Sequence, residues 1–272
     1  MTERMALAAL LLSLLLAACG SPPPRPPVAV LQAQQASQAA HRAMREGNLT
    51  QAREKFTQAL WLQQSLDNHA AVATTILNLA VIEHRLGNDA TALQQLDRLL
   101  LADALPYPQD LRVATALRKA VILVDGGDAK QAAITLELAT GECALQCNHA
   151  PGIANTRARM ALERGDHAVA LQLAKSAMGI PGVEKEELAN AHRMSGIAEF
   201  ELGQYAAALN HYQAALELDK ELGISKRIVA DLNGLAKTLE RLGRKPEADA
   251  NARRAMAVSE ATTRISGSTA KK

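Results

Sequence analysis

The stretch Ala40-His41-Arg42-Ala43-Met44-Arg45-Glu46-Gly47-Asn48-Leu49-Thr50-Gln51-Ala52 decides the architecture of this chain. It holds a small residue, a glycine seven positions later and an alanine five positions after that, with Ala59 following at twelve. The glycine and alanine recur as Gly87/Ala92, Gly127/Ala132, Gly165/Ala170, Gly203/Ala208 and Gly243/Ala248, at intervals of 40, 40, 38, 38 and 40 residues. Seven residues before each glycine the side chain is always small: Ala40, Ala80, Ala120, Ala158, Gly196 and Ala236. Twelve residues after it stand Ala59, Ala139, Ala177, Ala215 and Ala255, with Leu99 as the exception. From about residue 30 onward the chain is one array of six units.

A small column, a turn glycine and two further small columns are what two antiparallel helices need in order to cross closely. The glycine lets the chain leave the first helix through a left-handed conformation that costs other residues energy. The alanines let the two backbones approach. Helix pairs are accordingly predicted at 30–46 and 49–65, 69–86 and 89–103, 109–125 and 128–142, 151–164 and 167–178, 184–202 and 205–221, and 225–242 and 245–262. In the last unit Ile228, Leu232, Leu235, Leu239 and Leu242 recur at steps of three and four, which puts them on one core-facing side. Leu105-Pro106-Tyr107-Pro108, Asn148-His149-Ala150-Pro151-Gly152 and Gly179-Ile180-Pro181-Gly182 disfavour helix continuation and separate units.

These residues resemble the tetratricopeptide repeat, whose units pair a helix A with a helix B around this set of small residues and turn glycine. The stretch Ala215-Leu216-Glu217-Leu218-Asp219-Lys220-Glu221-Leu222-Gly223, with Leu235-Ala236 and Leu242-Gly243, carries the resemblance most clearly. The usual unit is about 34 residues. This longer one is similar to the extended sub-class of bacterial regulators and kinesin-light-chain-like adaptors. The resemblance implies an all-α, right-handed α-solenoid of about six helix-turn-helix repeats over 30–262, followed by a disordered tail at 263–272. It implies a fold and not one function, because this scaffold hosts many unrelated tasks.

Composition agrees. Aromatic residues make up only 2% of the chain, so the bulky positions of the repeat fall largely to Ala and Leu, apart from Phe56, Tyr212 and a few others. The single tryptophan, Trp61, is expected to cover the apolar end of the stack. Formal net charge is +2 with the signs interspersed, which leaves no footprint for nucleic acid.

At the amino terminus Arg4 precedes an apolar run from Met5 to Ala18, too short for a membrane span and suited to the core of a secretory signal. Its end, Leu16-Ala17-Ala18-Cys19-Gly20, resembles a bacterial lipobox. The organisation expected is a signal peptide at 1–18 and a lipidated Cys19 opening a Pro-rich spacer at 19–29. The resemblance implies a thioether-linked diacylglycerol on Cys19, with an amide-linked acyl chain in most Gram-negative hosts. More than one chain gives stable anchoring. Ser21-Pro22-Pro23-Pro24-Arg25-Pro26-Pro27 reads as a stiff spacer rising about 3.1 Å per residue. Gly20, where an aspartate would retain an enteric-type lipoprotein in the inner membrane, points by the same resemblance to the outer membrane, facing the periplasm. A Gram-positive host would place the chain at the cell surface instead.

Cys143 and Cys147 remain as an even pair in an oxidising compartment. Residues four apart in a helix have Cα atoms about 6 Å apart, within the reach of a disulfide. A metal site using Cys143, Cys147 and His149 lacks a fourth nearby ligand, so no metal and no cofactor is expected. The seven histidines, at 41, 69, 84, 149, 167, 192 and 211, are scattered. The chain has no His-Glu-x-x-His run, no Gly-x-Ser-x-Gly elbow and no phosphate-binding glycine loop. The sequence does not read as an enzyme.

Binding is what remains. In the family resembled, the first helix of each pair lines the concave surface, and a partner peptide lies along it. The matching positions are His41 and Arg45, then Asn78, His84 and Arg85, then Arg118, then Asn155 and Arg159. Asn190, Arg193 and Met194 follow in unit five, and Asn233, Lys237 and Glu240 in unit six. Asparagine amides can bond a peptide backbone in both directions, and arginine can grip a carboxylate with two N–H groups. The set suits a protein or peptide partner of acidic character. The resulting expectation is an outer-membrane scaffold or adaptor for cell-envelope assembly, involving pilus or secretin, β-barrel or peptidoglycan machinery. A sensor of peptides or small ligands and a structural envelope protein stay open beside it.

Overall fold

The computed structural model describes residues 26–101, 107–143 and 147–269. The segments read as signal peptide, lipobox and most of the spacer lie outside the described residues. Within them the chain forms helices only: α1 (Val28–Arg45), α2 (Leu49–Ser65), α3 (His69–Arg85), α4 (Asp89–Leu100), α5 (Gln109–Asp125), α6 (Ala129–Glu142), α7 (Ala150–Glu163), α8 (His167–Met178), α9 (Lys185–Glu201), α10 (Tyr205–Leu222), α11 (Ser225–Arg241) and α12 (Lys245–Thr269). Most boundaries fall within one or two residues of the predicted ones. The exceptions are α4, which ends at Leu100 rather than 103, and α12, which continues to Thr269, beyond the boundary expected at 262.

Each unit turns in the same way. Gly47, with φ of 75°, stands where a side chain would be strained, and the following Asn48 N–H returns to the Ala43 carbonyl at 2.9 Å. The matching bond closes the other five turns, from Asn88 to Glu83, Asp128 to Leu123, Asp166 to Ala161, Gln204 to Glu199 and Arg244 to Leu239. The residue after the glycine then opens the next helix. Asn48 and Asp128 accept the N–H groups of Gln51 and Gln131 through their side chains.

The small columns are the interior. Ala40, Ala52, Ala59, Ala80, Ala92, Ala120, Ala132 and Ala139 are wholly buried, and so are Ala158, Ala170, Ala177, Ala208 and Ala215. Ala236 departs from its column and is only half-buried. Larger side chains fill what the alanines leave: Phe56, Leu96, Ile122, Leu136, Leu232 and Tyr212 are buried. Gly196 belongs to the small column for a reason local to this unit, because a Cβ there would sit 3.1 Å from the Tyr212 ring.

Curvature follows from which helices touch. The first helices pack on one another in succession, α3 on α5, α5 on α7, α7 on α9 and α9 on α11, whereas no two second helices pack to a comparable extent. First helices therefore line the inside of the curve and second helices the outside. Trp61 corrects one expectation: it is 67% exposed on α2 and does not cover the end of the stack. Ala52, Phe56, Ala59 and Gln63 already fill the buried face of α2, and Trp61 lies on the opposite side of the helix.

Candidate partner-binding groove

The column six residues before each turn glycine runs along the inner face as His41, Val81, Val121, Arg159, Ile197 and Lys237. Val81, Val121 and Ile197 are apolar and half-buried, Arg159 is half-buried and charged, and His41 and Lys237 at the two ends are exposed. The first helices approach one another closely over unit four. A Cβ on Gly152 of α7 would lie 2.8 Å from Leu117 of α5 and 3.2 Å from the Glu187 carboxylate of α9. Only a bare backbone here lets units three and five close over unit four.

Arg118 lies at this pinch, half-buried on α5. Burial pulls its pKa below the ordinary arginine value; Glu186 and Glu187 oppose that, and Arg227 and Arg85 reinforce it. The two acids are engaged elsewhere. Glu186 pairs with Arg227 at 2.7 Å, and Glu187 accepts from Asn155 Nδ2 at 2.7 Å. Among the described residues no carboxylate pairs directly with Arg118.

One rim of the groove is already bonded. His84 bridges Asp89 at 2.7 Å and Asp125 at 2.9 Å, and Asp125 also pairs with Arg159, which reaches Glu163 at 3.4 Å. This chain ties units two, three and four together. Asp125 occupies the position of Arg45 and Arg85, two residues before the turn glycine, so the repeat alignment alone could have found it.

The other sequence-predicted residues divide into two groups. Arg45, Arg85, Asn233, Lys237 and Glu240 are exposed, and Asn78 and Met194 half-buried. His41 is exposed and meets the buried Phe56 ring edge-on at 4.9 Å. Asn155 and Arg193 are buried, contrary to their assignment as partner-facing groups. Asn155 holds Glu187 through its main chain and side chain, joining α7 to α9. Arg193 donates to Asp231 at 2.7 Å and to Asp219, and takes a further acceptor from Asn190 at 3.1 Å. These side chains stack units and are not offered to a partner.

The cluster around Arg193 is charged and dry. Asp219 and Asp231 are wholly buried, with Arg227 3.9 Å from Asp219. Burial raises the Asp231 carboxyl to about 7, against the hydrogen bond and charge of Arg193 and with the aid of Asp219. A second cluster joins α9 to α10, where His192 and His211 face each other Nδ1 to Nδ1 at 2.9 Å. Glu199, buried beside them, lies 3.5 Å from Lys175. Cys143 and Cys147 are joined by a disulfide with Cα atoms 5.3 Å apart, and His149 lies 3.2 Å from Asp110.

Glu186, Glu187, Arg227 and Gly152 were not found by reading the sequence. Nothing local places the start of α9 opposite Arg118 two units earlier. Their meeting depends on the sum of the turns between units.

Residues 187–261 match the tetratricopeptide repeat family. No curated protein matches the chain. Among solved structures, BtubC (BKLC) from P. vanneervenii superposes with a TM-score of 0.56 at 17% identity, over 88% of this chain and 93% of that one. A signal transduction ATPase with a tetratricopeptide repeat sensor, from Pyrococcus horikoshii, gives 0.59 at 14% identity over 83% of this chain and 35% of that one. The apo form of RapI gives 0.56 at 12% identity, over 87% of this chain and 67% of that one. Identities this low speak for the fold alone. The protein is an all-α helical-repeat chain whose residues 187–261 match the tetratricopeptide repeat, a class that binds protein or peptide partners.

Proposed function

We propose that this protein is a lipid-anchored scaffold of the outer membrane, facing the periplasm, that holds a partner protein through an acidic, partly apolar segment laid along its concave face. The observation that carries the groove reading is Arg118: a desolvated cation where α5, α7 and α9 approach one another, beside apolar Leu117 and Val121, with no ion-pair partner among the described residues. A partner carboxylate would satisfy two of its donors at once. Support for the anchor is the lipobox ending in Cys19. Service to an envelope assembly machine is the reading this arrangement suits best.

Co-purification from detergent-solubilised membranes, with a photo-crosslinking residue in place of Asn78, tests the groove. The expected result is one cross-linked protein that is lost when Arg118→Glu is added. Cross-links only from second-helix positions would move the partner to the convex face. Cys19→Ser tests the anchor by fractionation, since mature-size protein still in the outer membrane would rule out the lipid.

A further inference from the structure

Trp61 is the chain's single tryptophan, and it stands in the open on the outer side of α2. An indole has an apolar body and a polar N–H, a combination that favours the boundary between lipid and water. Leu101 occupies the matching position one unit on, fourteen residues after the turn glycine, and is 76% exposed. Ile134 and Leu138 of α6 are exposed on the outer side of unit three. At the position of Trp61 unit three carries Gly141 and the last three units Gly179, Glu217 and Ala257, while the exposed apolar residues Val169 of α8 and Met256 of α12 stand at other positions of the repeat.

The surroundings of Trp61 are unusual for a chain in which 21% of residues are charged. Residues 26–41 and 56–66 contain no Lys, Arg, Asp or Glu. The polar residues there are Gln, Ser and Thr, with His41 at the boundary. In unit one such a surface gives up no ionic hydration when it meets a bilayer, whereas Asp97, Arg98, Lys130 and Glu137 flank the apolar side chains of units two and three.

Reach is sufficient. Between Cys19 and Val28 lie eight residues, which extend to at most about 30 Å at 3.3 to 3.6 Å each. Helix α1 adds 18 residues, about 27 Å at 1.5 Å per residue, and α2 packs along it. Such a short tether keeps the first hairpin at high effective concentration near the surface, so a face too weakly apolar to bind vesicles from free solution becomes occupied.

We infer that the convex face of units one to three, led by Trp61 and Leu101, docks on the membrane leaflet that carries the anchor, with the indole at headgroup level. This inference rests on lipidation of Cys19. It also sets orientation: with the convex face on the bilayer, the concave groove opens away from the membrane, toward partners.

The lone tryptophan is its own probe. The acylated mature protein is reconstituted in vesicles of phosphatidylethanolamine and phosphatidylglycerol, with and without brominated acyl chains, and recovered by flotation. Trp61 emission is expected to shift to the blue and to be quenched by the brominated lipid. Leu101→Glu with Leu138→Glu, both at exposed positions, should leave flotation intact and abolish the quenching. Protein that floats while Trp61 keeps the emission of a water-exposed indole overturns the docking and leaves the anchor standing. Failure to float overturns the anchor and the docking with it. A blue shift that grows with protein concentration in the absence of vesicles assigns the face to self-association and also overturns the docking.

Discussion

Arg193 of α9 donates through Nε to Asp231 of α11 at 2.7 Å, across the junction of units five and six, with both residues buried. From the sequence, Arg193 stood in the partner-binding set beside Arg159. In the folded protein it donates to two buried carboxyl groups, Asp219 and Asp231. Arg193→Met should therefore destabilise by about 3 to 5 kcal/mol, the usual cost of leaving a buried charge without its partner. Adding Asp219→Asn and Asp231→Asn should recover part of the loss. An unchanged urea midpoint for Arg193→Met would remove the cluster from any structural role.

The same cluster makes stability depend on pH. Asp231 binds its proton more tightly folded, at about 7, than unfolded, near the ordinary aspartate value, chiefly because burial disfavours the charge. The native state then holds the extra proton, so this group's contribution is complete at acid pH and is lost as pH rises through about 7. His192 and His211 act with the opposite sign. Burial lowers the pKa of both, with the charge of His211 adding to the effect at His192 and that of Lys175 at His211. Their contribution is lost as pH falls below the ordinary histidine value, about 6.5. Thermal unfolding across this range should show that Asp231→Asn removes the loss toward neutral pH, and that His192→Gln with His211→Gln removes the loss on the acid side. Identical slopes in all three proteins would contradict both assignments.

Tyr212 packs against two bare α-carbons. A Cβ at Gly234 would lie 2.6 Å from ring atom Cδ1 of Tyr212, closer than the approach at Gly196. Gly234→Ala should cost about 1 to 3 kcal/mol through overpacking, more than Gly196→Ala does. Combining Gly234→Ala with Tyr212→Leu should cost less than the sum of the two changes, and strict additivity in a denaturation cycle would show that ring and glycine do not touch.

Arg118→Gln should weaken capture of the partner without lowering stability, because it removes a desolvated cation that has no ion-pair partner among the described residues. Arg254→Glu on α12, outside the groove, serves as the control. Pull-down from envelope extract decides between them, and loss of the partner with the control alone would place the binding surface outside.

The ring closed by Cys143 and Cys147 spans five residues, which in the chain-entropy model contributes about 2 kcal/mol. Cys143→Ser with Cys147→Ser should lower stability by about that amount. Alkylation mass spectrometry without reductant on envelope-derived protein should find neither thiol free.

The repeat register was legible because it is written in residue size. Glycine and alanine at fixed offsets dictate where helices end and where they cross, and these are local constraints that a single chain shows openly. The sequence also placed Arg85, Arg118 and Lys237 on first helices, where Arg85 and Lys237 are exposed and Arg118 is half-buried. It could not separate Arg193 from Arg159, since both are polar residues on a first helix, ten and six residues before their turn glycines and so one helical turn apart in the repeat. Their difference comes from what the next units bring: Asp219 and Asp231 close over Arg193, whereas Asp125 meets Arg159 on the open rim.

The sequence by itself determined that the chain is a six-unit helical array, where each turn falls, and which small residues lie between the helices, because close crossing and left-handed turns exclude larger side chains. Tertiary structure alone decided that Glu186, Glu187 and Arg227 gather around Arg118, that Gly152 is where units three and five close over unit four, and that Trp61 faces out. Those placements depend on the rotation accumulated from unit to unit. Each small rotation is set by packing between side chains distant in the chain, and no local pattern records their sum.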